Sequence, residues 1–139
     1  MLPLPAVSIK AQWAARLGAL CYVAWGLFHL SVAHDIYNLG FAQTGIDQGR
    51  LYQLAAYMLC VAMFAIAVAA FGNWRNNERG YWLNICVVGW ADGVWVLVVV
   101  LPGYVPLLRG LAPPALFVVG AIFTTIARHA ARKFPGVAI

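Results

Sequence analysis

The sequence predicts an all-α membrane protein, a bundle of four transmembrane helices in up-down-up-down order. Hydrophobic residues make up 64% of the 139-residue chain and charged residues only 9%, whereas soluble domains carry about 25% charge. Four apolar runs reach the length of about 20 residues that a helix needs to cross a bilayer. Because the connections are short, neighbouring helices are expected to be antiparallel, within one domain over residues 1–139.

Turn residues set the boundaries of the four runs. We predict helices at about 13–37, 51–72, 81–101 and 113–131. Polar, glycine-containing segments at 38–49 and 73–80 separate the first three helices. Pro113 and Pro114 fit the opening turn of the fourth helix, where a missing N–H costs little. Residues 1–12 lack a small-residue cleavage site after a short apolar core, so we expect no secretory signal peptide.

The basic residues are divided unevenly between the two predicted sides of the bundle. One side has seven: Lys10, Arg16, Arg75, Arg79, Arg128, Arg132 and Lys133. The other side has two: Arg50 and Arg109. The positive-inside rule then predicts both termini on the cytoplasmic side of a bacterial-type inner (plasma) membrane. The basic residues stand singly, so the net charge of +5 indicates membrane topology rather than a nucleic-acid partner.

Two ionisable side chains fall well inside predicted helices. Asp92 lies near the middle of the third helix, where a carboxylate is costly unless it is paired, hydrated or protonated. We expect it to face the bundle interior, as a ligand, proton or cofactor partner or as a neutral bridge between helices. His29, in the first helix, could be a base, a metal or haem ligand, or a packed hydrogen-bonding residue. Direct pairing with Asp92 would fix its tautomer and raise its basicity.

If the helices are antiparallel, further polar and aromatic residues lie at the same membrane depth, in the outer half of the bundle. Arg50, Gln53 and Tyr57 share one face of the second helix at i, i+3 and i+7. Trp25 precedes His29 by four residues and shares its face. We therefore predict a polar-aromatic pocket that opens to the periplasmic side or sideways to lipid, as ligand sites with apolar walls and a few convergent polar groups do.

Each residue of this predicted pocket has an expected role. Asp92 and His29 are the candidate catalytic acid-base pair. The side chains expected to orient the ligand are Tyr57, Gln53 and Arg50, and the expected apolar walls are Trp25 and Trp95. Such a pair contributes about 10²–10⁴ in rate, which suits an isomerase- or hydratase-like step on a lipophilic small molecule that reaches the site from the lipid bilayer.

Two other classes of function fit the same residues. The bundle could be a non-enzymatic accessory or assembly subunit of a larger membrane complex, in which case its polar side chains should point out of the bundle. A weaker alternative is an oligomeric transporter or channel with Asp92 in its pore. The GxxxG pair of Gly89 and Gly93 fits either packing within the bundle or a homo-oligomer seam.

The sequence offers no motif that names a cofactor. It contains no Walker loop, GxSxG or HExxH pattern and no Cys-His cluster for a metal. Cys21, Cys60 and Cys86 are odd in number and lie in apolar runs, so we interpret them as packing residues. A haem with a single axial histidine, or one shared between subunits, stays open.

Overall fold

A computed structural model describes residues 9–132. The described chain contains helices and turns and no strand. Its four long helices are α1 (Ile9–Gly40), α2 (Gly45–Phe71), α3 (Glu78–Trp95, continued by a π-helical turn Val96–Val100) and α5 (Ala112–Arg132), and α4 (Leu107–Gly110) is a short helix before α5. All four are long and apolar enough to cross a membrane. Lys133 and the segment relevant to a signal peptide before Ile9 lie outside the described residues.

The predicted helices agree with these bounds to within a few residues. The first, second and third begin up to six residues earlier than predicted, because backbone hydrogen bonding continues beyond the apolar run that hydropathy detects. The fourth agrees within one residue at each end. The connection between the third and fourth predicted helices, residues 102–112, contains α4, which is only 4 residues long.

Consecutive long helices run in opposite directions. The end of α1 meets the start of α2 where Gly40 packs against the ring of Tyr52. The end of α2 meets the start of α3 where Gly72 faces Gly80. We call the end of the bundle that contains the α1–α2 connection the Gly40 end, and the opposite end, with the α2–α3 turn, the Asn76 end. Around the bundle, α1 packs along α2 and α5, and α3 packs against the same two helices from the opposite corner.

Small residues allow the close approach of α1 and its neighbours. The face of α2 toward the interior is built from alanines, which are buried: Ala55, Ala62, Ala65 and Ala69. On α1, a Cβ added to Gly18 would lie 2.6 Å from Thr124 Cγ2 and 2.9 Å from the Gly120 carbonyl oxygen of α5. Since lipid tails are as apolar as the helices, this close packing is what holds the bundle together in a membrane.

The Asn76 end is closed by a tight turn and polar contacts. A 3-10 turn, Asn73–Arg75, leads to Asn76, which adopts a left-handed conformation at φ 54°. The Asn76 amide donates to the Ala127 carbonyl at 3.2 Å. Asn73 and Asn84 are both buried, and their side-chain amides lie 3.3 Å apart. The turn is therefore tied both to α5 and to the interior of α3.

The two glycines of the GxxxG pair have different surroundings. A Cβ on Gly89 would lie 2.9 Å from Phe117 of α5, so Gly89 packs within the bundle. A Cβ on Gly93 would meet nothing within 4 Å. Beside it, Trp90 is 75% exposed. Packing within the bundle thus accounts for one of the two glycines, and the homo-oligomer seam stays a prediction.

Candidate functional site

A hydrogen-bonded pair of side chains joins α1 to α3 across the bundle. Trp25 of α1 donates its indole N–H to both carboxylate oxygens of Asp92 on α3, with Nε1–Oδ1 and Nε1–Oδ2 distances of 3.1 and 3.0 Å. Trp25 is completely buried and Asp92 is 4% exposed. Because a buried carboxylate without a donor is costly, this N–H offsets part of the cost of placing Asp92 in the interior.

His29 lies one helical turn after Trp25 and contacts it in two ways, by ring stacking and by a hydrogen bond. The imidazole stacks on the indole with the ring centroids 3.7 Å apart and the planes inclined by 27°. Its Nδ1 lies 2.8 Å from the Trp25 carbonyl oxygen. A carbonyl oxygen only accepts, so Nδ1 must carry the proton. In the neutral ring Nε2 is then a hydrogen-bond acceptor.

The Nε2 atom of His29 has no hydrogen-bond partner among residues 9–132. His29 as a whole is 9% exposed, more than Trp25 or Asp92. The ring of Phe28 stands edge-on to the imidazole at 5.3 Å between centroids. The site therefore presents one basic nitrogen, oriented by a backbone hydrogen bond and bordered by aromatic rings. This nitrogen is also the atom with which His29 would ligate a metal or a haem iron.

Three of the predicted site residues come together, but not in the pairing that the sequence suggested. The direct hydrogen bond considered between His29 and Asp92 is replaced by the Trp25 indole, which bonds Asp92 with its N–H and stacks on His29 with its face. Trp25 was expected only as an apolar wall. The hydrogen bond from its N–H to Asp92 was not predicted, because it depends on how α1 and α3 are rotated toward each other.

The three predicted residues of α2 lie on the outside of the bundle. Tyr57 is 60% exposed, the Arg50 side chain is 73% exposed, and Gln53 is exposed as well. Gln53 donates to the Tyr57 hydroxyl within the helix. The alanine face of α2 turns inward because it permits close packing, and this directs the larger polar side chains outward. The structure does not bring them near Asp92, and their ligand-binding role stays a prediction.

Trp95 connects α3 to the short helix at the Gly40 end. Its indole N–H donates to the Gly110 carbonyl oxygen at 2.8 Å. Gly110 is buried, and a Cβ there would lie 2.8 Å from the side chains of Val100 and Val105. Trp95 thus anchors α4 beneath the end of α3. Its predicted role as a wall of the ligand pocket stays a prediction.

Tyr22 is a core residue that the sequence interpretation missed. It is completely buried, and its hydroxyl has no hydrogen-bond partner among the described residues. The nearby Thr124 hydroxyl donates to the Gly120 carbonyl oxygen at 2.9 Å. The signal was present in the spacing, because Tyr22 precedes Trp25 by three residues and His29 by seven and so shares their face of α1.

A groove of about 400 Å³ lies between α1 and α2 in the half of the bundle toward the Gly40 end. The residues that line it are mostly apolar or aromatic: Leu30, Ala33, His34, Tyr37, Tyr52, Ala55, Ala56 and Leu59. The rings of Tyr37 and Tyr52 stack with centroids 4.8 Å apart, and His34 bonds Asn38 at 2.9 Å. The groove lies in the half where a pocket was predicted, but none of the seven predicted site residues lines it.

Metal ligands are not clustered in the described part of the chain. Residues 9–132 contain no group of three or more His, Cys, Asp or Glu side chains that could hold a metal ion. No protein-family model, curated protein or solved structure matches this chain. A functional proposal must therefore rest on the geometry of the site itself, which is the arrangement of Trp25, His29 and Asp92.

Proposed function

We propose that this integral membrane protein binds a lipophilic small molecule that donates a hydrogen bond, through an O–H or N–H group, to Nε2 of His29. The single observation that carries the proposal is the fixed Nδ1–H tautomer of His29, which leaves Nε2 as an acceptor without a partner among residues 9–132. A phenol, a quinol or a long-chain alcohol has this chemistry: one donor on an apolar body.

The pair of Trp25 and Asp92 supports this role by orienting His29. The indole is held by the carboxylate at 3.0 Å and in turn presents its face to the imidazole. A ring fixed on two sides loses little conformational freedom when a ligand binds. If the bound molecule is also transformed, His29 would accept its proton, and Asp92 would act on the imidazole through Trp25 rather than by direct contact.

We infer that the groove between α1 and α2 holds the apolar part of such a ligand. Its lining on α1 runs from Leu30, the residue after His29 in the sequence, past Ala33 to Tyr37, and His29 itself is not among the lining residues. In a bilayer it opens toward acyl chains, from which a lipophilic compound arrives. Apolar walls with few polar groups are the usual form of a small-molecule site.

We also infer that the Asn76 end faces the cytoplasm of a bacterial-type inner membrane. The basic residues near this end are Lys10, Arg16, Arg75, Arg79, Arg128 and Arg132, against Arg50 and Arg109 toward the Gly40 end. By the positive-inside rule this asymmetry supports cytoplasmic termini. The lipophilic ligand would then bind in the outer half of the membrane.

The test is native mass spectrometry of the protein purified in mild detergent from its own membranes. We expect a mass above that of the chain by one defined small molecule. His29→Gln should lose this addition, while His129→Gln, which changes an exposed histidine in the last turn of α5 at the Asn76 end, should retain it. A bare mass in the wild type, or an addition that His29→Gln retains, would contradict the proposal.

A second function is favoured by one observation. Arg50, Gln53 and Tyr57 form a polar row on the outer face of α2, where an accessory subunit would contact a partner helix. In lipid, polar side chains on an outer face favour helix association. Co-purification of other polypeptides that is lost in Gln53→Leu/Tyr57→Phe would support a subunit of a larger complex.

A further inference from the structure

A second groove, distinct from the His29 site, lies on α3 near the Asn76 end. It has a volume of about 420 Å³, and its lining consists of Glu78, Arg79, Trp82, Leu83 and Cys86. From Arg79 to Cys86 it follows the helix for roughly 10 Å at the usual rise per residue. One end is charged and the rest is apolar, so the groove is amphiphilic along its length.

The charged end has a surplus of positive charge. Glu78 is neutralised by Arg128, at 2.8 Å between Nη2 and Oε2, and by Arg132, at 3.3 Å between Nη2 and Oε1. Arg79 is exposed and has no ion-pair partner among the described residues, and neither has Arg75 in the turn before α3. The single carboxylate of the groove is therefore occupied, and the Arg79 guanidinium is left for an anion from outside the protein.

The apolar end faces outward from the bundle within a span that can cross the membrane. Trp82 is 51% exposed, Leu83 is 45% exposed and the Cys86 thiol is exposed and free of any disulfide. An exposed tryptophan near the end of a membrane helix favours the level of the lipid headgroups. The row from Trp82 to Cys86 then lies at the depth of the first part of an acyl chain.

We propose that this groove is a binding site for an anionic phospholipid. The phosphate pairs with the Arg79 guanidinium, a planar donor suited to phosphate oxygens, and one acyl chain lies along Trp82, Leu83 and Cys86. Charge complementarity selects an anionic headgroup, because a zwitterionic lipid brings a cation to an end that already carries excess positive charge. Anionic lipids attract basic residues at a membrane surface in the same way.

The chain provides its own reporter for this site. Cys86 lies in the groove, whereas Cys60 is an exposed thiol on α2 and lies outside it. Alkylation by N-phenylmaleimide in mild detergent, followed by peptide mass spectrometry, measures both thiols in one sample. We expect added phosphatidylglycerol to slow alkylation of Cys86 several-fold relative to phosphatidylcholine with the same acyl chains, while Cys60 reacts equally in both.

Variants at the two ends of the bundle test whether the difference between the two lipids in Cys86 alkylation depends on Arg79. Arg79→Gln should remove the difference between the two lipids at Cys86, and Arg79→Lys should restore part of it. Arg109→Gln, toward the Gly40 end, should leave it unchanged. Circular dichroism checks that each variant keeps its helix content. Equal protection of Cys86 by both lipids, or full phosphatidylglycerol protection in Arg79→Gln, would overturn the proposal.

Discussion

Replacing Trp25 by phenylalanine isolates the hydrogen bond that joins opposite corners of the bundle. The substitution retains an apolar ring but removes the N–H that lies 3.0 Å from Asp92 Oδ2. Asp92 is 4% exposed, so water cannot readily replace the lost donor. Leaving a buried acceptor without its donor costs about 1–3 kcal/mol or more, and the smaller ring adds about 1 kcal/mol of lost packing.

The companion substitution, Asp92→Leu, leaves the Trp25 N–H buried without an acceptor. That loss costs about 1–3 kcal/mol. In the double variant both polar groups are gone, and an apolar pair of similar size is nearly neutral apart from the packing loss. The double variant should therefore be more stable than Trp25→Phe alone, with a coupling energy of at least about 2 kcal/mol. Interhelical hydrogen bonds measured in one membrane protein average about 0.6 kcal/mol and reach about 1.7 kcal/mol.

The measurement is the free energy of unfolding in mixed micelles, obtained by titrating a denaturing detergent and following helix content by circular dichroism. Trp90→Phe is the control, because Trp90 is 75% exposed and should change stability by less than about 0.5 kcal/mol. If the effects of Trp25→Phe and Asp92→Leu simply add, the hydrogen bond does not stabilise the bundle and our reasoning about the buried carboxylate is refuted.

Two further substitutions test the packing and the charges. Gly18→Ala should lower the free energy of unfolding by about 1–3 kcal/mol in the same assay, because the new Cβ would lie 2.6 Å from Thr124 Cγ2. The control is Gly49→Ala, whose Cβ would meet nothing within 4 Å and which should be neutral or stabilising. Equal effects of the two variants would contradict the packing of α1 on α5. Glu78→Gln should cost about 1 kcal/mol or less at low salt, because both side chains of its 2.8 Å ion pair with Arg128 are partly solvated. Asp47→Asn, whose 3.9 Å ion pair is exposed, should have no measurable effect.

Much of the fold was predictable because the bilayer imposes a length on every spanning helix. Four apolar runs and polar turns were enough to locate α1, α2, α3 and α5 to within a few residues. The short helix α4 was missed because prolines and glycines around it are typical of turns, and 4 residues are too few for a periodic pattern.

The candidate site was predictable only in part. The cost of a charge in lipid correctly indicated that Asp92 faces inward, but it could not name the partner. A shared helix face related Trp25 to His29, whereas the bond to Asp92 depends on the rotation of α1 relative to α3. On α2, the i, i+3, i+7 spacing predicted that Arg50, Gln53 and Tyr57 share one face and orient a ligand, while the alanines on the opposite face determine that these side chains point outward.

The central claim is that Nε2 of His29 is a free acceptor within the membrane. Nitrogen NMR of protein labelled with ¹⁵N-histidine tests it directly, and the signals of His29 are those that disappear in His29→Gln. We predict the Nδ1–H tautomer, with a protonated-type shift at Nδ1 and an unprotonated-type shift at Nε2 that moves when a lipophilic phenol is added. A proton on Nε2, or an Nε2 shift insensitive to every such ligand, would contradict the account.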